Sequence, residues 1–449
     1  MRQSRGTMKL ITSLLFALAV VSSAQEAPKK DPFIKDKKPA VAPQPAEQEA
    51  NITFFLESFT LPQADFAAWL EMPEGREKLH EMVLAAVKAG TAKLDACHFA
   101  RGKGGTRFTL ESVDELLYPS EWNYADAKGF QYPVAFEMKQ VGEKLEVEPT
   151  LEPSDMKLNL NHSFERVRFL GLRASKADRT LPGLVVPDFQ EQRGPAMVSL
   201  VARLPALLHA TGAGEGQITL SFITPRVVPV PRPAQAPAQG AGNIVLTPRV
   251  ISLERMRAWE MLRQHAEDGP AILKALKPML ADGSAVLEHL STLSGKAGMR
   301  ILHEAVRQHY YGTEFDPPQE GAPAKPSDDP KKPATPATSP SSASTTSFDW
   351  RRIGFNWEAE TTLSHEGDII HTNIAFDLTS FAGNLADPLW AEHYPEMPVF
   401  VSQKFTTGVT QVAGSTILLS TLNPPGDTGV NGRKDGGRVW LLFLTEELE

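Results

Sequence analysis

The chain repeats itself. Gly102-Lys103-Gly104-Gly105-Thr106-Arg107 returns as Gly295-Lys296-Ala297-Gly298-Met299-Arg300, and without a gap Glu111, Val113, Tyr118 and Glu121 return as Glu304, Val306, Tyr311 and Glu314. A register held over that length marks a domain-sized duplication, which bounds architecture far more tightly than activity. Further along, Gly142, Glu146, Glu148, Asn161, Phe164 and Gly171 match Gly354, Glu358, Glu360, Asn373, Phe376 and Gly383. Near the ends, Pro187, Phe189, Gln192 and Val198 match Pro398, Phe400, Gln403 and Val409, and Phe222 matches Phe443.

Each copy opens on an extended apolar run, Ile52 to Phe59 or Ile244 to Ile251, and then changes period. Phe66, Trp69, Leu70, Leu79, Met82, Val83, Ala86 and Val87 recur at three and four residues, as do Trp259, Leu262, Ile272, Leu273, Leu276, Met279 and Leu280. That spacing predicts a helical pair with one buried face in each copy, ended by Gly90 and by Gly283. Beyond the helices the period becomes two. Val141 to Pro149 alternates apolar and charged residues, and Met156 to Phe164 alternates again. These are half-buried antiparallel strands.

The amino terminus reads as a secretory signal peptide over 1–24, with Arg2, Arg5 and Lys9 ahead of an apolar centre and Ser22-Ser23-Ala24 as the cleavage site. Residues 25–50 read as a disordered Ala/Pro/Lys/Glu tether. The copies are then expected at 51–228 and 244–449, separated by a Pro/Ala/Gln linker at 229–243, with a disordered insertion at 317–347 inside the second. Cys97 is the only cysteine, so an exported chain holds together by packing, without an internal disulfide. The net charge of -8 would fall to about -11 without the three cations of the leader, a sign that disfavours nucleic acid as a partner.

Several of these pieces resemble one family. Val141 to Pro149 as Val-Gly-x-x-Leu-x-Val-x-Pro, Leu158-Asn159-Leu160, Pro187-x-Phe189 and Leu220 to Val227 are similar to the β-domain of bacterial secretins, the ring-forming outer-membrane gates of secretion systems and type IV pili. In the second copy, Ser415 to Leu419 resembles that family's glycine-led penultimate strand and Leu441 to Thr445 its terminal strand. The chain departs from the family in carrying two such domains and in lacking the proline-leucine-glycine gate signature. Thr211 to Gln217 and Asn423 to Arg438 stand in its place, short and polar. The resemblance implies a degenerate, duplicated secretin-like fold, partners among envelope, secretion or pilus proteins, and a place in the periplasm or peripherally at the outer membrane. It leaves the oligomeric state open.

Candidate chemistry is sparse. Gly102 to Thr106 lacks phosphate-loop spacing and reads as a tight turn. Glu146 with Glu148, and Glu358 with Glu360, share a strand face and read as a solvated carboxylate row. His365 and His371 flank Glu366-Gly367-Asp368 without a His-x-x-x-His pair, and Cys97 in its apolar run reads as a buried, inert thiol. Matched Trp69 and Trp259 read as core. No catalytic, cofactor-binding or metal-ligating residue is assigned.

The expectation is an α+β tandem duplication, each unit a helical pair packed on a twisted antiparallel sheet. Its expected function is a non-catalytic, exported assembly or protein-binding scaffold. An envelope hydrolase with an unrecognised site and a carbohydrate-binding or adhesion module stay open as alternatives.

Overall fold

The strands run for as many as 21 residues, and where their sequence alternates with period two the apolar faces demand a second layer. The structure is a computed structural model that describes residues 49–124, 131–152, 157–174, 185–231, 242–316, 344–385, 397–425 and 437–449. The expected signal peptide, all but the end of the tether, linker residues 232–241 and insertion residues 317–343 lie outside the described residues.

In chain order the elements are β1 (Ala50–Pro62), α1 (Gln63–Leu70), α2 (Leu79–Ala89), β2 (Lys93–Lys103), β3 (Phe108–Tyr124), β4 (Gln131–Leu151), β5 (Lys157–Ala174), β6 (Val185–Val201), β7 (Ala206–Gly214) and β8 (Gln217–Pro229). Then follow β9 (Asn243–Glu254), α3 (Arg255–His265), α4 (Gly269–Ala281), β10 (Ala285–Leu290), β11 (Leu293–Lys296), β12 (Arg300–Asp316), β13 (Ser344–Leu363), β14 (Ile369–Asn384), β15 (Pro398–Val412), β16 (Thr416–Leu422) and β17 (Arg438–Leu448).

Two antiparallel sheets result. The first runs β10-β9-β17-β16-β2-β1-β8-β7, with β11 also on β9; the second runs β12-β13-β14-β15-β3-β4-β5-β6. Strands from residues 243–448 fill one half of each sheet and strands from residues 50–229 the other, in the same order. The halves meet where β15 pairs β3 and where β16 touches β2.

The first sheet is buried on both faces. Ile52, Phe54 and Leu246 on one side pack against Phe108, Leu145 and Trp357 of the second sheet. On the other side Phe59, Leu94 and Leu441 meet Val83, Trp259 and Leu276 of the helices. The layers are therefore helices, sheet and sheet. At the far end of the second sheet a third cluster forms, where Phe136 of β4 stacks edge-on against Phe315 of β12 at 5.6 Å.

The expectation of an α+β fold is overturned: 70% of the described residues are strand and 14% helical, in two large antiparallel sheets with four helices. The reason is physical. The helices are only 8 to 13 residues long and cover one face of one sheet. The strands of both halves, by contrast, join into common sheets, so no self-contained helix-on-sheet unit exists.

Matched glycines set the bends. Gly142 (φ 136°) and Gly354 (φ 134°) sit where β4 leaves β5 and β13 leaves β14. A Cβ at Gly142 would lie 2.2 Å from the Ser112 carbonyl oxygen, and at Gly354 2.1 Å from that of Ala305. Only glycine fits either place.

Candidate functional site

The residues singled out by sequence scatter over the molecule. Gly104 and Gly105 form the turn from β2 to β3, where the chain crosses between sheets and Gly105 takes φ 74°. Glu146 and Glu148 lie on an exposed face, where Arg107 holds them at 2.9 and 3.2 Å. Glu358 is likewise paired with Arg300. His371 contacts Thr410 at 3.0 Å and Glu49 at 3.5 Å, while Asp368 accepts from Ser364 at 2.8 Å. Among the described residues no group of three or more His, Cys, Asp or Glu side chains could hold a metal ion. Trp259 is buried against Phe59, whereas Trp69 is only partly covered.

The densest polar cluster was not anticipated. It lies where the halves meet, on β2, β4, β5 and the segment after β16, beside a cavity of about 320 Å³ lined by Asp95, Glu143, Arg166, Arg168 and Asn423. Glu143 pairs with both His98 and Arg166, and Arg166 Nε donates to it at 2.5 Å. Burial pushes this carboxyl toward its neutral form, but the Arg166 charge and the hydrogen bonds from Arg166 and His98 outweigh that and hold its pKa well below the usual carboxylate range.

Asn423 fixes the proton positions. Its Oδ1 accepts from the Cys97 N–H at 3.2 Å and its Nδ2 donates to the Cys97 carbonyl at 2.8 Å, so the amide orientation is set. Nδ2 also faces His98 Nδ1 at 3.0 Å, which leaves the ring proton on Nε2, toward Glu143. Thr421 completes the seam, accepting from the Phe99 N–H at 2.7 Å and donating to the Cys97 carbonyl at 3.0 Å. Side chains of one half thus satisfy backbone groups along the edge of the other.

Such a network is poor catalytic equipment. Glu143 is occupied by two donors, His98 has no free lone pair, and the Cys97 thiol is fully buried with its pKa pushed up by burial. What it does is lock β2, β4, β5 and the chain after β16 together. A second buried carboxylate does the same between helices. Glu57 of β1 accepts from Trp259 Nε1 at 2.6 Å and Arg263 at 2.9 Å, and His80 lies 2.9 Å away. Burial raises the Glu57 pKa, and those partners more than reverse it, so the net shift is downward.

The sheet margins are the other feature. Glu304 to Gln308 of β12 are exposed on both faces, and at the opposite margin Glu191, Arg193, Pro195, Ala196 and Met197 of β6 are exposed. Near the β12 margin Tyr310, Phe348 and Trp350 stand out of one face, at 63%, 64% and 43% exposure. Among the described residues no helix is long and apolar enough to cross a membrane.

No family model matches the chain, and no curated protein matches it. Among solved structures it is similar to the Salmonella SPI-1 type III secretion injectisome secretin InvG, at 4% identity and a TM-score of 0.21, over 89% of this chain and 64% of that one. The atomic model of the Salmonella basal body proteins InvG, PrgH and PrgK matches at the same identity and TM-score, over 89% and 45%. The chain spans less than two thirds of the length of these structures. The resemblance to secretins is weak.

Proposed function

We propose that this chain is an exported, non-catalytic cell-envelope protein that works as an assembly or protein-binding scaffold, placed in the periplasm or peripherally at the outer membrane, with a role in secretion or pilus biogenesis. The observation that carries this reading is the pair of margins on the second sheet, β6 and the stretch of β12 ahead of its pairing with β4 at Glu314, whose strands present unpaired backbone groups. Such an edge recruits another chain by strand addition unless something blunts it. No proline stands in β12, and its central residues have no cover. The test is the size of the protein extracted from envelopes, for wild type and for Val306→Pro, which removes one edge N–H. A scaffold gives a complex larger than one chain that is lost in the variant. A single free chain in both extracts would contradict it.

One observation favours a second reading, a carbohydrate-binding or adhesion module: the exposed trio Tyr310, Phe348 and Trp350 on one sheet face. Aromatic faces of that kind can stack on sugar rings. Binding of envelope glycans that is lost in Trp350→Ala, with the complex size unchanged, would select it over the scaffold.

A further inference from the structure

The seam within the chain is a template for the seam between chains. Across it β15 pairs β3 from Val399↔Leu116 to Thr406↔Thr109. Because Gln192 matches Gln403 and Glu111 matches Glu304 in the repeat, β6 is the counterpart of β15 and β12 the counterpart of β3. Those two counterparts stand at the two ends of the same sheet order, and β12 is engaged on its outer side only near its end, where Glu314 pairs Ala135 of β4, beyond the stretch matched to the seam. The contact is heterologous, joining the trailing edge of one half to the leading edge of the other, so it leaves one unused edge of each kind.

Burial follows this pattern. Ser112 to Glu115 are buried where β15 covers them, whereas the matched Ala305 to Gln308 are exposed. Val399 to Gln403 are buried where they meet β3, whereas the matched residues 188–192 are half-buried or exposed.

Charge supplies the partner. Along the internal seam, directly opposed neighbours on β14, β15, β3 and β4 read Asp377, Lys404, Glu111, Lys144, alternating in sign. The free β6 edge carries Glu165 opposite Arg193, joined at 3.1 Å, and the free β12 edge carries Glu304 joined to Arg352 at 3.1 Å. Arg193 follows Gln192 and so matches Lys404; Glu304 matches Glu111. Bringing the two edges together in the internal register rebuilds the first three places of that row, Glu165, Arg193, Glu304, with their alternation intact; the fourth place holds Asn356, and Arg352 reaches Glu304 from four residues along β13.

We propose, resting on the scaffold reading, that β6 of one chain adds antiparallel to β12 of a second copy, with Arg193 opposite Glu304, Gln192 opposite Ala305 and Phe189 opposite Gln308. The second sheet carries this contact. In the first sheet the sealing residues Thr421 and Asn423 are matched on β7 by Ala210 and Gly212, which cannot make the same bonds. Repeated head to tail, the contact builds a ring where the rotation closes and an open filament where it does not.

The test uses the mature chain with Cys97→Ala. Directly opposed residues of an antiparallel pair bring their Cβ atoms to about 5 Å, close enough for a disulfide after a small adjustment. Arg193→Cys with Glu304→Cys is expected to give a ladder of disulfide-linked multimers under mild oxidation. Ser199→Cys with Glu304→Cys, about 20 Å out of register, is expected to give none. In sedimentation, Arg193→Glu and Glu304→Lys are each expected to weaken self-association roughly tenfold or more, and an equimolar mixture of the two to regain it, since every contact in an alternating assembly is again opposite in sign. Cross-linking that ignores register, or a mixture no better than its components, would overturn the proposal. A chain that stays monomeric at all concentrations would overturn it too. If that monomer still sits in a Val306-dependent envelope complex, only self-pairing fails and the scaffold reading stands; if it does not, both fail.

Discussion

Two buried carboxylates respond to pH in opposite directions. Glu446 is fully buried, and its Oε1 accepts from Thr372 Oγ1 at 2.6 Å; burial raises its pKa to about 7. A carboxyl whose folded pKa lies above its unfolded value contributes stability that is present below about pH 4.5 and lost as pH rises through about 7, on the order of 3 kcal/mol. Glu446→Gln should therefore flatten the decline in unfolding free energy between pH 5 and 8 and stabilise the protein at pH 8, measured by urea titration. Glu143 behaves in reverse: its depressed pKa contributes stability above the unfolded value that is lost in acid. Glu143→Ala strands the buried Arg166 charge and should cost about 3 to 5 kcal/mol. At the matched positions Glu143 and Arg166 become Phe355 and Leu378, and each pair is directly opposed across its strands. Glu143→Phe with Arg166→Leu should accordingly cost less than Glu143→Ala alone, by the same titration. That mismatch between halves was the one signal by which the cluster was legible in sequence. Its partners His98 and Asn423 lie 325 residues apart, and no local spacing marks them.

At the scale of elements, helix and strand identities followed from period and punctuation, whereas their proportions did not. Gly90 ends α2 in a left-handed turn (φ 75°), as its place in the pattern implied. Helix α4 starts at a cap less visible in the pattern, where Asp268 accepts from the Ala271 N–H at 2.9 Å. Asp268→Ala should lower stability by about 1 kcal/mol in thermal or urea unfolding. The length of the strands was harder to foresee, because β12 exposes both faces along its middle and β13 over its first residues, and there they lose the alternation that identifies a half-buried strand. Their bend was written in the sequence as a matched glycine. Gly354→Ala, forced against the Ala305 carbonyl with a positive φ, should cost about 2 kcal/mol or more, read as a fall in the denaturant midpoint.

The whole molecule is organised by one head-to-tail operation. Repetition in the sequence announced two similar halves, but which edges would meet depends on pairing between segments hundreds of residues apart, and only the sheet order supplies it. The consequence is a chain whose internal seam is sealed by Lys404 opposite Glu111, by Ser112 bonded to Gln403, and by Arg351 forking onto Glu115 at 2.6 Å, while the matching outer edges stay open. The claim that those edges are the working surface is tested most directly by amide hydrogen exchange of the mature protein across a concentration series, read segment by segment. Exchange at Glu111 to Glu115 should be slow throughout. At Glu304 to Gln308 and Glu191 to Pro195 it should be fast in dilute protein and slow together as concentration rises. Exchange at both outer segments that stays fast and independent of concentration, with no assembled species in solution, would contradict it.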